Sequence, residues 1–410
     1  MLQNVSAVPS RRALEFGIYR DGDNNLDASQ SLVVAQALQT SESDPTIQFT
    51  VQDTTGLRAV DGDIVEGKTR TDSFTIDGGE IGQAKAGKAH DMSDPHNLAQ
   101  FVAHVLDNAE ASGAKQTWID LVDHGGGDGG GLETHDGNVM SMPDMAKAIA
   151  AGVALHAKEH PEDAGRGVDG VVANQCLMDT MGFADALSHA GVKFLAASPE
   201  TMLSPGVPST VAHAIASHIG DPAAMAKSVV KTVMQTQYGD EIEHFGAAAA
   251  FDVLDLDPVK IAKAETAIKH LNDDVATASK DHIVRSEIRD AVSSVDGMAR
   301  FPQATKDMPW HADRPAIAVY QALATDDLLS DTVRKDATNA AHAVGSLVLS
   351  HKESDGFDPF DGSDYSDAAG PTIHAPVTRS QVDSWAPAIS ETDNDFYKNV
   401  DQDRFARAVA

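Results

Sequence analysis

Residues 117–127 read TWIDLVDHGGG, a short apolar run that ends in a histidine and three glycines. A second stretch, residues 168–179, reads VDGVVANQCLMD and contains Cys176, the only cysteine among the 410 residues. Short apolar runs bounded by glycine and polar residues predict buried strands. Each predicted strand therefore carries one reactive side chain just beyond its carboxyl end, which is where open α/β sheets place their sites.

The rest of the first 260 residues alternates between strand and helix patterns. Further strands are predicted at 14–19, 47–53, 192–197 and 247–253, and helices at about 26–40, 94–106, 142–160 and 179–189, with two more after Pro208. The Gly- and Asp-rich segment 54–90 predicts turns and short hairpins. This alternation predicts an α/β fold, with a mainly parallel central sheet and helices on both of its faces.

The pattern changes after residue 260 and becomes mostly helical. Alanine-rich amphipathic runs at 261–276 and 337–350 predict helices, and the Asp-, Ser-, Gly- and Pro-rich tail after Ser354 predicts irregular structure. We therefore expect an α/β domain over residues 1–260. A mostly helical C-terminal subdomain over residues 261–410 is expected to pack on it as an extension.

The net charge is −31, from 31 basic and 62 acidic residues. Such a field repels nucleic acid and anionic membranes and attracts basic peptides or cations, although it serves solubility equally well. The sequence has no apolar run of 18 residues and no signal-peptide core near Met1. We expect a monomer that is cytoplasmic if the chain is complete, or secreted if a signal was removed.

The two reactive side chains form a chemically sensible pair. A cysteine attacks a carbonyl as its thiolate, and a nearby imidazole favours that form and can protonate the leaving amine. Cys176 follows His124 by one strand–helix–strand step, which predicts neighbouring strand ends. Backbone N–H groups of Gly125 and Cys176 are candidates for an oxyanion hole. The pair predicts a cysteine–histidine hydrolase. The simpler alternatives are a buried core thiol at Cys176, and a loop histidine or metal ligand at His124.

At these residues the sequence resembles the clostripain family of cysteine peptidases, which has a caspase-like fold. The family's histidine motif matches residues 123–127 and its Asp-Ala-Cys-Leu-Met motif matches residues 174–178, with further likeness at 21–26, 94–95, 197–201 and 250–252. The resemblance implies a caspase-like sandwich and a polypeptide substrate. It also implies a catalytic dyad of His124 and Cys176 that faces across the substrate and requires neither a third, orienting residue nor a cofactor.

The resemblance also implies where the substrate side chain binds. Family members commonly cleave after Arg or Lys, using an aspartate two residues before the cysteine, and that position is Asn174 here. Asparagine lacks the fixed charge that would pair with a guanidinium. Glu200, in the segment that also contains Ser198, is the alternative source of charge. Asn174, Ser198 and Glu200 are therefore the candidate substrate-binding residues, and the Arg/Lys preference is left open.

Two other family properties concern activation. Family members are often cut between the histidine and cysteine strands, yet the first basic residues after His124 are Lys147, Lys158 and Arg166. We expect the chain to stay in one piece or to be cut at a non-basic site. Calcium dependence also occurs in the family and suits the acidic composition.

No group of residues predicts a metal site. Asp21-Gly22-Asp23 begins an acidic loop, but Leu26 and Leu32 stand where an EF-hand needs its glycine and its bidentate glutamate. The loop is more typical of a capped helix start.

Three other functional classes are alternatives to a cysteine–histidine hydrolase. A serine esterase would need Gly-x-Ser-x-Gly, which the sequence lacks. A nucleotide-binding protein would need a phosphate-binding loop, but residues 82–89 carry Ala89 in place of the Ser/Thr and follow no apolar strand. The remaining alternative is a catalytically inactive caspase-like protein that serves as a binding or scaffold module.

Overall fold

The computed structural model describes residues 12–60, 63–297, 312–354, 365, 368–383 and 394–410, without side chains for 57–60 and 63–66. The strands are β1 (Leu14–Gly22), β2 (Ile47–Val60), β3 (Asp63–Asp77), β4 (Glu80–Ile81), β5 (Lys85–Ala86), β6 (Gln116–Val122), β7 (Gly170–Asn174), β8 (Phe194–Ala197), β9 (Ala250–Asp255), β10 (Asp313–Pro315), β11 (Val348–Glu353) and β12 (Thr372–His374).

The helices in the first 260 residues are α1 (Asp27–Gln30), α2 (Leu32–Ser43), α3 (Pro95–Ser112), α4 (Met142–Glu159), α5 (Met181–His189), α6 (Val211–Ala216), α7 (Pro222–Lys231), α8 (Gly239–Phe245) and the start of α9 (Pro258–Ala278). Those that follow are α10 (His282–Ser293), α11 (Ala316–Thr325), α12 (Asp331–Gly345), α13 (Asp395–Asn399) and α14 (Gln402–Val409). Among the described residues, none of the helices is both long enough and apolar enough to cross a bilayer.

One large sheet organises the molecule, in the strand order β11-β9-β8-β7-β6-β1-β2-β3-β4, with β5 also paired to β3. The five central strands from β8 to β2 are parallel, and the strands on either side of them are antiparallel. The carboxyl ends of β6 and β7 are therefore neighbours, with Val122 opposite Asn174. This confirms the predicted α/β class with a mainly parallel sheet.

Helices cover both faces of this sheet, because side chains alternate along each buried strand. In β6, Ile119 and Leu121 lie in the core shared with α3, α4 and α5. Trp118 and Val122 lie in the opposite core, shared with α2, α6 and α7. The predicted layering is therefore confirmed.

Trp118 of β6 packs directly against Gly170 of β7. Its ring is fully buried, stacks on Phe194 with centroids 5.9 Å apart, and covers Gly170 so closely that a Cβ there would lie 2.5 Å from ring atoms. Truncating a buried tryptophan costs about 3–5 kcal/mol. The alignment of the two strands that carry the dyad therefore depends on a large side chain facing a residue with none.

Several predicted elements were wrong in extent. The expected helix at 26–40 is two helices, α1 and α2, which are separated at Ser31. The expected short hairpins at 54–90 include one long hairpin of β2 and β3. Polar and threonine-rich strands on an exposed sheet edge carry little apolar signal. That composition hid the hairpin in the sequence.

The C-terminal part also differs from its prediction. The helix expected at 337–350 ends at Gly345, and β11 follows it and pairs antiparallel with β9. Part of the region expected to be a separate helical subdomain thus completes the main sheet. The tail expected to be irregular contains α13 and α14, whose Phe396 and Phe405 are buried. The division of the chain at residue 260 stays a prediction.

Candidate active site

His124 and Cys176 each lie two residues beyond neighbouring strand ends. The N–H of Asp123 donates to the carbonyl of Asn174 at 3.3 Å and extends the pairing of β6 and β7 past the sheet. A Cβ on Gly125 would lie 2.2 Å from the carbonyl oxygen of Cys176 and 3.0 Å from its nitrogen. The structure therefore brings the histidine loop into direct backbone contact with the cysteine, as the spacing predicted.

The imidazole of His124 is held by a residue that the sequence did not reveal. Its Nε2 lies 2.7 Å from Oδ1 of Asn25, in the loop after β1. An amide oxygen only accepts hydrogen bonds, so Nε2 carries the proton and Nδ1 is left to exchange one. Burial lowers the pKa of His124, and Glu133 opposes this shift. The imidazole is therefore poised as a neutral base near neutral pH.

The loop after β1 was interpreted as a capped helix start, and this interpretation was wrong. Helix α1 has no side-chain cap, and Asp27 instead pairs with the buried Arg20, whose Nη1 lies 3.0 Å from Asp27 Oδ1. Asn24 donates to Oδ1 of Asp123 at 2.5 Å. Through Asn24 and Asn25, the loop therefore forms hydrogen bonds to the two residues that follow β6. The sequence did carry one signal for these contacts, because residues 21–26 are part of the resemblance to the clostripain family.

The thiol of Cys176 lies against the loop after β8. Its Sγ accepts a hydrogen bond of 3.3 Å from the N–H of Met202. The next residue, Leu177, adopts φ +67°, a conformation that non-glycine residues rarely occupy, and its N–H donates to Glu200 O at 3.0 Å. Strain of this kind persists where surrounding contacts impose it, and it clusters at functional sites.

Gly125, the predicted oxyanion donor, lies in a short backbone bridge. Gly125 pairs with Gly131 in a short antiparallel bridge, whose hydrogen bonds run from Gly126 N to Gly130 O at 2.8 Å and from Leu132 N to His124 O at 3.2 Å. That bridge does not use the N–H of Gly125. Gly125 lies beside the backbone of Cys176, and its role as an oxyanion donor stays a prediction.

The three predicted substrate-binding side chains lie close to Cys176 but are buried. Asn174 is 2% exposed, and its amide both accepts from Val207 N at 2.7 Å and donates to Val207 O at 3.0 Å. Ser198 Oγ donates to Glu200 O at 2.9 Å and accepts from Glu200 N, so it shapes the turn. Glu200 is 5% exposed. Direct contact of these side chains with substrate stays a prediction.

A buried carboxyl lies beside Asn174. Asp120, on the same face of the neighbouring strand, is fully buried. Burial raises the pKa of Asp120 well above its usual range, and the side chain of Asn174 offsets part of this shift. Burial therefore disfavours the charged form of Asp120. At this part of the site Asn174 replaces the aspartate of the family motif, and the neighbouring carboxyl on β6 is disfavoured as an anion.

Residues from the C-terminal part of the chain contact the loop that follows His124. Tyr397, on α13, donates to Oδ1 of Asp128, which lies in a 3₁₀ turn at Gly127–Gly129. Asp313 and His374 from β10 and β12 pair through a 2.9 Å contact and lie beside Asp128, with all three side chains buried. Burial lowers the pKa of His374 to about 3. This neutral histidine therefore belongs to a packed polar network.

No protein-family model matches the sequence, and no curated protein matches it significantly. Several solved structures match it significantly. An inactive zymogen of a C11 protease from Parabacteroides distasonis superposes with a TM-score of 0.64 at 15% identity, over 96% of this chain and 99% of that one. A secreted C11 cysteine protease from Bacteroides thetaiotaomicron, iotapain, gives 0.62 at 14% identity, over 96% and 100%. This chain has the fold of the C11 cysteine proteases.

A third structure extends the same finding. It is a secreted C11 cysteine protease of Bacteroides thetaiotaomicron in complex with an irreversible peptide inhibitor, with a TM-score of 0.61 at 12% identity over 95% of this chain and 99% of that one. The resemblance to the clostripain family, whose members are the C11 proteases, is therefore confirmed at the level of the fold. The likeness spans nearly the whole chain, including the C-terminal region.

Proposed function

We propose that the chain is a cysteine endopeptidase with Cys176 as nucleophile and His124 as general acid and base. One observation carries this proposal: in a C11 fold, His124 and Cys176 each follow the end of one of two adjacent parallel strands by two residues, and Gly125 lies in backbone contact with Cys176. Polypeptides are the proposed substrates, with the protein acting as a monomer without a required cofactor.

The chemistry follows from which nitrogen of His124 can exchange a proton. Nδ1 of His124 takes the proton of the Cys176 thiol, and the thiolate adds to the scissile carbonyl carbon. The C–N bond then breaks as Nδ1 of the imidazolium gives that proton to the leaving amine, and the acyl group stays on sulfur as a thioester. The neutral Nδ1 next takes a proton from water, which attacks the thioester. The C–S bond breaks, the acid product leaves, and the imidazolium returns its proton to the sulfur. Asn25 holds Nε2–H throughout, so the ring keeps one orientation.

The oxyanion of each tetrahedral intermediate is assigned to backbone donors. Gly125 N–H is the group that the local bridge does not use, and the N–H of Cys176 is the second proposed donor. Losing one such donor typically costs about 10²–10³ in kcat. The absence of a Cβ at Gly125 allows the two chain segments to approach closely enough for both donors to act together.

The proposed preference is for a neutral residue before the cut. Asn174 provides no charge, and burial raises the pKa of Asp120, which disfavours a charge on that carboxyl as well. A guanidinium placed here would lose water without gaining a salt bridge at either position, which is costly in a buried site. Glu200 is the one carboxylate among the three predicted substrate-binding residues, so a basic preference would point to it.

The test is cleavage of a fluorogenic peptide library by freshly reduced wild-type protein and by Cys176→Ala, each with EDTA and with added calcium. We expect cleavage by the wild type in EDTA and none by the variant. Trapping of wild type, and not of Cys176→Ala, by a peptidyl thiol-directed inhibitor would identify the nucleophile. Failure of both assays would contradict the proposal and favour an inactive scaffold.

A further inference from the structure

Two histidines and several carboxylates cluster near the amino ends of β6 and β7, at the opposite end of these strands from the dyad. His156 lies in the last turn of α4 and His160 follows the end of that helix, so the two are one helical turn apart. Asp107 and Glu110 lie one turn apart on the facing α3. Helices α3 and α4 lead into the amino ends of β6 and β7. This cluster is therefore about one strand length, ~20 Å, from His124 and Cys176.

The distances suit a tetrahedral metal ion. Oδ1 of Asp107 lies 2.7 Å from Nδ1 of His156 and 3.4 Å from Nε2 of His160, and each of the three residues offers a ligand atom within 4.8 Å of those of the other two. Zinc bonds of about 2.0–2.2 Å place tetrahedral ligand atoms about 3.4 Å apart. To admit the ion, the gap between Asp107 and His156 would have to open by about 0.7 Å. The two imidazole rings, which stack with centroids 4.9 Å apart and an interplanar angle of 16°, would also have to turn so that both planes contain the ion.

The other ring nitrogens face carboxylates, as they do in zinc sites where a second carboxylate orients each histidine. Nδ1 of His160 lies 2.5 Å from Oε2 of Glu110. The imidazole of His156 is completely buried, and its Nε2 makes no hydrogen bond within the described residues. Its nearest carboxylate oxygen is Oδ2 of Asp163, at 3.5 Å. A metal on Nδ1 would fix the proton on Nε2, directed at Asp163.

The charge of the cluster also favours a cation. The carboxylates of Asp107, Glu110 and Asp163 lie around the two imidazoles. Arg166 donates a hydrogen bond to Asp163 and another, of 2.9 Å, to Ala114 O. Two imidazole nitrogens with carboxylate oxygen suit zinc and related transition metals, whereas calcium and magnesium prefer all-oxygen sites. Histidines at i and i+4 on one helix are an established zinc-binding arrangement, and His156 and His160 have the same spacing, with His160 one residue past the end of the helix.

We propose that Asp107, His156 and His160 form a binding site for a zinc-class divalent ion, with Glu110 and Asp163 orienting the two imidazoles. Water completes the tetrahedron. The ion joins α3 to the end of α4 and to the turn that leads into β7. The site is structural and independent of the proposed peptidase activity, because it shares no residue with the dyad.

The test uses the full chain with Cys176→Ala, which removes the thiol as a competing metal ligand. The protein is incubated with Zn²⁺, dialysed, and assayed for metal by elemental analysis, and its affinity is measured by calorimetric titration. We expect about one zinc per chain. His160→Gln in the same background should weaken binding more than ~100-fold, since even outer-shell partners are worth ~10–100-fold.

The matched control is His189→Gln, because His189 also ends a helix and pairs with a carboxylate, Asp185, one turn earlier. This variant should keep the parent's affinity. Co²⁺ in place of Zn²⁺ should give the intense visible bands of a tetrahedral site, and they should vanish in His160→Gln. Circular dichroism without metal checks that both variants fold. Absence of bound metal in the parent, or equal affinity in His160→Gln, would overturn the proposal.

Discussion

Nε2 of His124 donates a hydrogen bond of 2.7 Å to Oδ1 of Asn25, a residue 99 positions earlier in the chain. The contact links the loop after β1 to the strand end of β6, two elements that are adjacent in the sheet. It fixes both the ring orientation and the tautomer of the imidazole. We therefore propose Asn25 as a positioning residue, which acts through the proposed base His124 and not on the substrate.

Asn25→Ala is expected to lower kcat/KM by about 10–100-fold, less than loss of the base itself, which typically costs ~10²–10⁴. Asn25→Asp should retain more activity and should raise the pKa of His124, because a carboxylate favours the imidazolium. In the wild type, burial lowers that pKa, so the acid limb of the pH profile of kcat/KM should lie below 6.5.

The measurement is the pH dependence of kcat/KM for the wild type and both variants. Asn25 is exposed, so neither substitution should alter folding. Asn339→Ala, on the exposed side of α12, is the control for removing an asparagine. Identical acid limbs in Asn25→Asp and the wild type would contradict the positioning role.

Asn174→Asp is expected to shift preference toward arginine before the cut. A charge-assisted bidentate pair is worth about 1.5–3 kcal/mol, which corresponds to a rise of ~10–100-fold in kcat/KM for Arg relative to neutral substrates. The variant should also lose ~1–3 kcal/mol of stability, because the amide that donates to Val207 O becomes an acceptor.

Paired arginine and neutral peptide substrates would measure the shift, and urea unfolding would measure the stability. Asn339→Asp provides the same substitution on the surface and should change neither quantity. If the wild type already prefers arginine and Asn174→Asp does not alter this, the charge resides elsewhere, and Glu200→Gln should then abolish the preference.

The sequence predicted the parallel centre of the sheet and the dyad for the same reason. Buried strands such as β6 and β7 are continuous apolar runs, so their ends and the side chains that follow them can be located. The role of Asn25 was missed because its partner His124 is distant in sequence. The strand β11 was missed because its half-buried residues, which include a lysine and a glutamate, show no clear apolar alternation.

Gly125→Ala should abolish measurable peptidase activity. The added Cβ would lie 2.2 Å from Cys176 O, so the histidine loop must move away from the cysteine and the proposed oxyanion donors separate. A loss of more than ~10²-fold in kcat is expected. Gly165→Ala is the control, because a Cβ there meets nothing within 4 Å. Near-normal turnover by Gly125→Ala would show that activity does not depend on the close approach of Gly125 to Cys176.

The purified protein should remain one chain. Lys147 and Lys158 lie within α4, and Arg166 is bonded to Asp163 and to Ala114 O. A peptidase binds its substrate in an extended form, so cleavage at these sites would first require local unfolding. A denaturing gel of active protein should show a single full-length band. Two fragments split after Lys147, Lys158 or Arg166, and absent in Cys176→Ala, would contradict this expectation.

Stability should fall with rising pH through the pair that joins β11 to β9. Burial opposes the charged form of His351, but Asp252 at 2.7 Å and Glu353 at 2.9 Å outweigh it and raise the pKa of His351 to about 9. Because the folded pKa exceeds the unfolded value near 6.5, the stabilisation is complete below pH 6.5 and is lost as pH rises through 9. The full contribution is at most about 3 kcal/mol.

Urea unfolding of the wild type and His351→Gln at pH 6 and pH 10 tests this contribution. The variant should be less stable than the wild type at pH 6, and the difference should shrink to near zero at pH 10. Glu15, whose pKa burial raises to about 8, also costs stability as pH rises, but it does so equally in both proteins and cancels in the comparison. His213→Gln removes an exposed histidine–aspartate pair and should give little difference at either pH. A deficit in His351→Gln that is the same at pH 6 and pH 10 would show that the side chain contributes packing, whereas a deficit that disappears shows that its charge holds β11 on the sheet.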